Sequence, residues 1–183
     1  MLTSLLATLP EPARDIRLNL QSTLQGGALS PAQRWGVTVA TAAAAREPRL
    51  LAAVVAEARA EVGPAVVEDG LAAAAIMAMN NVYYRFRHQI GKPSYAERPA
   101  RLRMNRLVRP ATNRLDFELF SLAVSAINGC EACVRAHEEA VIAGGLTEEH
   151  VHDAVRLGAV MHAAAVGLEL AAVATAPELA ATA

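Results

Sequence analysis

An all-α fold, a compact helical bundle, is predicted by three features of this 183-residue sequence. Alanine dominates an apolar fraction of 54%, while aromatic residues make up only 4%. Alanine has the highest helix propensity, and its small side chain lets helices approach closely. β-Branched residues rarely run together, which argues against strands. Proline and glycine punctuate the chain where helices should start and stop.

The elements follow in order. Pro10 and Pro12 sit near the start of a helix over roughly 13–23, ended by Gly26 and Gly27. Ser30 reads as an N-cap with Pro31 at the first helical position, opening a helix through Trp35 to about Ala45. Glu47 and Pro48 restart the chain as a helix to about Val62. Gly63 and Pro64 precede another, through Met77 towards Phe86. The stretch 89–114, with Pro93, Pro99 and Pro110, is the most irregular; a short helix fits 101–107. Asn128 and Gly129 form a helix stop, separating a helix of about 116–127 from one that begins near Cys130. Thr147, Glu148 and Glu149 read as the capped, acid-rich first turn of a last helix.

The second half reads as a degenerate copy of the first, at an offset of about 84 or 85 residues. Trp35 and Ala40–Ala42 then correspond to Phe120 and Ser125–Ile127, and Ile76–Met77 to Val160–Met161. One domain over 1–183 is expected, with halves of about 13–88 and 115–176 joined by the irregular linker 89–114.

Composition excludes several partners. Formal net charge is −1 and no basic stripe occurs, so the footprint expected for nucleic acid or an anionic membrane is missing. The N-terminal segment lacks a positive region, and the longest apolar run, 157–168, is interrupted by His162. The expected location is therefore the cytoplasm. In a reducing compartment two cysteines are poor candidates for a structural staple.

Those two cysteines are the principal candidates for chemistry. Cys130 and Cys133 fall in the first turn of a helix, where unpaired N–H groups and the macrodipole favour a thiolate. Their spacing lets the two sulfurs meet. His137, four residues beyond Cys133, shares their helix face. If the helices on either side of the 128–129 turn run antiparallel, position 137 lies opposite about 120. At a rise of roughly 1.5 Å per residue, Glu118 then comes within about one turn of the imidazole. Glu118 is expected to orient or charge His137, and His137 to move protons to and from the thiols. On residues alone other readings stay open: half a zinc site with His137 as third ligand, or two buried cysteines acting as small hydrophobes.

Other polar and sulfur-bearing residues read as structural. His162 sits in an alanine-rich helix and reads as a packed core residue. Met77 and Met79 read as core fillers, and Trp35, Tyr83 and Tyr84 as packing residues; Asn80 and Asn81 need partners and either anchor the chain, the favoured reading, or line the cleft.

The segment Phe117–His137, containing Glu118, Cys130, Cys133 and His137, resembles the alkyl hydroperoxide reductase D family (AhpD). So does Ala75–Arg85, and the resemblance runs over essentially the whole chain, including Leu9–Pro10, Asp15–Ile16 and Gln33–Gly36. It implies an all-helical fold with an internal repeat, assembled as a homotrimer. The implied activity is that of a lipoyl-dependent peroxidase and reductant of the peroxiredoxin AhpC. The implied electron source is a dihydrolipoyl group on a 2-oxo acid dehydrogenase acyltransferase, recharged by dihydrolipoamide dehydrogenase and NADH, with no tightly bound cofactor and no metal. By position, the resemblance makes Cys133 the attacking thiolate that passes through a sulfenic acid. Cys130 becomes the proton donor and resolving thiol, and Glu118 with His137 the proton relay. Ala132 departs from relatives that carry histidine or tyrosine there, so a supplementary donor is absent. Two rival activities are a redox adaptor with negligible direct peroxidase activity and a carboxymuconolactone-decarboxylase-like enzyme, which resembles this family in fold and needs no thiol pair.

Overall fold

The computed structural model describes residues 1–175 and contains no strand among them. Helices α1 (Leu2–Leu6), α2 (Arg14–Gln25), α3 (Pro31–Ala45), α4 (Pro48–Val62) and α5 (Pro64–Ile90) make up the first part. Two one-turn helices, α6 (Pro93–Ala96) and α7 (Asn105–Val108), lie in the irregular stretch. Helices α8 (Arg114–Ile127), α9 (Glu131–Ala143) and α10 (Glu148–Thr175) complete the bundle. The lengths 15, 15 and 27 of α3–α5 are followed by 14, 13 and 28 in α8–α10. The expected end of the second half, residue 176, and the chain from there to 183 lie outside the described residues.

Local chemistry accounts for most boundaries. Ser30 caps α3 through a reciprocal box: its hydroxyl accepts from the Gln33 amide, and the Gln33 side chain accepts from the Ser30 amide. The Glu47 carboxylate accepts from the Leu50 amide at 2.6 Å and opens α4. Helix α5 runs four residues beyond the expected Phe86, to Ile90, and ends at Gly91 in the left-handed conformation. The short helix expected over 101–107 is the single turn of α7. Helix α1 carries no marked cap signal; it forms because Leu2 and Leu6 bury against the body, and its amide and amino ends bind Glu57.

Helices α3 and α8 form the centre. Each packs on the other and on α5 and α10, and Gly36–Ala42 and Phe117–Ser125 are buried without interruption. A helix surrounded on all sides shows no amphipathic stripe, which explains its continuous small and apolar composition. Their crossing is close because Gly36 has no side chain: a Cβ there would stand 1.9 Å from Cζ of Phe120. Helix α10 is long and apolar enough over Glu148–Val173 to cross a membrane, yet it packs on α2, α3 and α8 through Leu157, Met161, Ala164 and Leu168. His162 corrects an expectation. It is exposed, because the core stripe through 157, 161, 164 and 168 leaves position 162 on the opposite side.

Candidate active site

The turn that carries the cysteines is fixed from two sides. Gly129 adopts φ 65°, and the Cys130 amide donates to the Ser125 carbonyl at 3.1 Å. From α5, Asn81 accepts from the Asn128 amide group at 2.8 Å and donates to Ser125 Oγ at 2.9 Å, while Arg85 donates to the Asn128 carbonyl. Asn81 is thus the anchor expected of it.

Cys130 is the N-cap of α9 and Cys133 the third residue of its first turn, with the two sulfurs joined as a disulfide and Cα atoms 5.3 Å apart. Free N–H groups and the positive end of the helix dipole surround both positions. A disulfide across one helical turn constrains almost no chain, so its formation adds little to stability. Burial distinguishes the pair. Cys130 is completely buried, whereas Cys133 borders a cleft of about 240 Å³ together with Asn80, Tyr84, Met104, Leu107, Ala132, Ala136 and His137.

Glu118 and His137 meet directly. The hairpin places 118 opposite 137, two residues away from the simple register, and Oε2 of Glu118 lies 2.6 Å from Nδ1 of His137. Both residues are buried. Burial is the largest influence on the Glu118 carboxyl and pushes its pKa up. The hydrogen bond and charge of His137, joined by Arg114 at 3.6 Å, outweigh it and hold the group below its ordinary 4.5. Ionised Glu118 must accept, so Nδ1 of His137 carries the donated hydrogen. Nε2 faces the Met77 sulfur at 3.3 Å and is the ring nitrogen that the carboxylate leaves free to take up a proton. No hydrogen bond joins the imidazole to either sulfur among the described residues; His137 and Cys133 share the cleft wall instead.

Several contributors were not singled out for the site by the sequence. Met77 is a fully buried residue, as expected of a core filler, but it also supplies the contact to His137 Nε2. Asp69, wholly buried, accepts from the Ala111 and Thr112 amides and the Thr112 hydroxyl at 2.7–2.8 Å and pairs with Arg106 at 3.1 Å. It thereby holds the stretch around α7, whose Leu107 forms one wall of the cleft. A carboxylate inside an apolar helix was the available signal; its partners, some 40 residues along the chain, were not legible. Tyr84, expected only to pack, also borders the cleft; so does Asn80, the less favoured of the two readings the sequence left for it.

The profile of the carboxymuconolactone decarboxylase family matches residues 93–176, which include the cysteine pair. Over 175 residues, 96% of this chain and 94% of the relative, the sequence is 74% identical to an alkyl hydroperoxide reductase AhpD of Anaeromyxobacter dehalogenans. It is 48% identical over 164 residues to the like-named protein of Rhodopseudomonas palustris, covering 90% of this chain and 91% of the relative. It is 50% identical over 164 residues, 90% of each chain, to the alkyl hydroperoxide reductase AhpD of Gluconacetobacter diazotrophicus.

Proposed function

Because the chain belongs to the alkyl hydroperoxide reductase AhpD family, we propose that Cys133 reduces alkyl hydroperoxides and that a protein-borne dihydrolipoyl group re-reduces the Cys130–Cys133 disulfide. At the coarser level the chain is an oxidoreductase of the alkyl hydroperoxide reductase type. One observation carries the assignment of roles: Cys133 faces the cleft beside His137, whose other nitrogen is held by a buried carboxylate, and Cys130 lies behind it.

The steps balance as follows. His137 Nε2 accepts the proton of the Cys133 thiol, and the helix start stabilises the thiolate. The thiolate attacks the distal peroxide oxygen; an S–O bond forms, the O–O bond breaks, and the alkoxide leaves with the proton returned by His137. The Cys130 thiol then attacks the sulfenic sulfur, water leaves, and the disulfide closes. A dithiol reduces that disulfide by exchange through a mixed disulfide, so two electrons pass from dithiol to peroxide. Glu118 supports the imidazolium formed on the way.

The same thiols are suited to reducing the disulfide of the peroxiredoxin AhpC. The lipoylated acyltransferase of a 2-oxo acid dehydrogenase, recharged by dihydrolipoamide dehydrogenase, would be the electron source. The relatives' name supports the peroxiredoxin as a partner; the lipoylated electron source, a homotrimer and a cytoplasmic location are proposed on the sequence resemblance alone. The exposed apolar stripe Val82, Phe86 and Ile90 on α5 offers surface for such association.

The test is dihydrolipoamide oxidation by cumene hydroperoxide with the purified protein, alone and with a peroxiredoxin. Turnover without the peroxiredoxin that is lost in Cys133→Ser and slowed in His137→Phe supports the peroxidase. Turnover only with the peroxiredoxin supports an adaptor. The match to the decarboxylase profile favours a second reading, decarboxylation of a lactone; turnover of carboxymuconolactone retained in Cys133→Ser would support it.

A further inference from the structure

We propose that Asn80 is the group that holds the hydroperoxide in line with Cys133, an inference that rests on the peroxidase reading of the site. Asn80 borders the cleft and is 5% exposed. Its Nδ2 donates to the Met104 sulfur at 3.1 Å, a weak acceptor. Its Oδ1 is buried and has no hydrogen-bond partner among the described residues. The neighbouring Asn81 is used at both ends, by Ser125 and Asn128. The other orphaned side-chain atoms among the described residues, on Arg34, Arg106 and Ser121, are not on the cleft wall. Buried amide oxygens in native proteins are nearly always paired, so an exception inside a reactive cleft points to a ligand.

The chemistry of the cleft says which ligand group. Tyr84, Met104, Leu107, Ala132 and Ala136 present mainly apolar surface, and a hydroperoxide entering it gives up the water around its O–H. On this proposal that hydrogen is accepted by Asn80 Oδ1, the buried, unpaired oxygen of a cleft-wall residue. Bound there, the peroxide turns its distal oxygen towards Cys133. When the thiolate attacks, the hydrogen stays on the distal oxygen and becomes the sulfenic O–H, still held by Oδ1. The S–O bond forms as the O–O bond breaks, and the leaving alkoxide takes its proton from His137. Asn80 neither gives nor takes a proton, so it is a positioning residue. Thiols are weak donors, so reduction of the disulfide does not call on it.

Two half-reactions of full-length Asn80→Leu separate this role from a structural one. The first is oxidation of the reduced protein by hydrogen peroxide and by cumene hydroperoxide; the second is reduction of its disulfide by dithiothreitol. Oxidation by both peroxides should slow about tenfold or more, the effect of one hydrogen bond made to the reacting group. Reduction should stay within about twofold, and the unfolding midpoint should hold or rise, because only an unsatisfied group and a weak bond to sulfur are lost. Oxidation at the wild-type rate would overturn the role. So would equal slowing of both half-reactions with a lowered midpoint, since that marks a structural residue. Should Asn80→Leu not fold, Asn80→Ala is judged by the same two rates. Wild-type protein that fails to react with either peroxide would refute the reading of the site itself, and this role with it.

Discussion

Replacing Glu118 by glutamine removes one charge from a buried site and changes little else. Glu118 is 7% exposed, and its Oε2 lies 2.6 Å from His137 Nδ1, the length of a charge-assisted bond. Hydrogen bonds to an ionised partner contribute about 1.5–3 kcal/mol, and neutral ones about 0.5–1.5. A glutamine oxygen still accepts from Nδ1–H, so the substitution removes the difference, about 1–1.5 kcal/mol. Where the imidazolium forms during reaction, that loss slows oxidation of the thiols by about tenfold, since 1.4 kcal/mol is one decade. Rapid mixing of the reduced protein with cumene hydroperoxide, followed by thiol titration, reads the rate. Stability adds a second reading whose sign is fixed. The Glu118 carboxyl sits below 4.5 in the fold, so its contribution is complete above that pH and is lost as pH falls through the folded value. Wild type and variant should therefore differ in unfolding midpoint at about pH 7 and converge in acid, well below 4.5. Equal rates at neutral pH, or a stability gap that stays open in acid, would refute the reasoning.

Three further outcomes follow from the packing. Met77→Leu keeps the buried volume but removes the sulfur from His137 Nε2. Peroxide reaction should slow about threefold while thermal unfolding changes by less than about 1.5 kcal/mol. Asp69→Asn sets an amide against donors it cannot satisfy. It should cost about 2–4 kcal/mol in denaturant titration and accelerate hydrogen exchange at Ala111 and Thr112. Gly36→Ala drives a methyl into the Phe120 ring, 1.9 Å from Cζ, and should lower Tm by roughly 3–10 °C in calorimetry.

Much of this arrangement was legible in the chain, for local reasons. Ser30–Pro31, Glu47–Pro48 and Asn128–Gly129 act through caps and turns that need no distant partner, and the structure places helix ends at each. Cys133 and His137 share a face by helical spacing alone, and a tight hairpin was enough to bring Glu118 close. What stayed hidden depends on contacts across the fold. Met77 looks like any buried methionine until α5 lies against α9. Asp69 and Asn80 look like misplaced polar residues until the stretch after α6 packs over α5. His162 was misjudged because an alanine-rich helix gives no clear phase; only packing on α2, α3 and α8 decides which side faces water. The close crossing of α3 and α8 likewise rests on Gly36, whose meaning appears only opposite Phe120.

The division of labour between the two sulfurs is tested most directly by trapping the intermediate. Full-length Cys130→Ser, reduced and treated with one equivalent of cumene hydroperoxide, is allowed to react with dimedone, which captures sulfenic acid, and its peptides are weighed. Cys133 faces the cleft and Cys130 lies behind it, so the adduct should form on Cys133, and Cys133→Ser treated in parallel should carry none on Cys130. An adduct on Cys130 at comparable yield, with Cys133 unmodified in the first variant, would contradict the assignment.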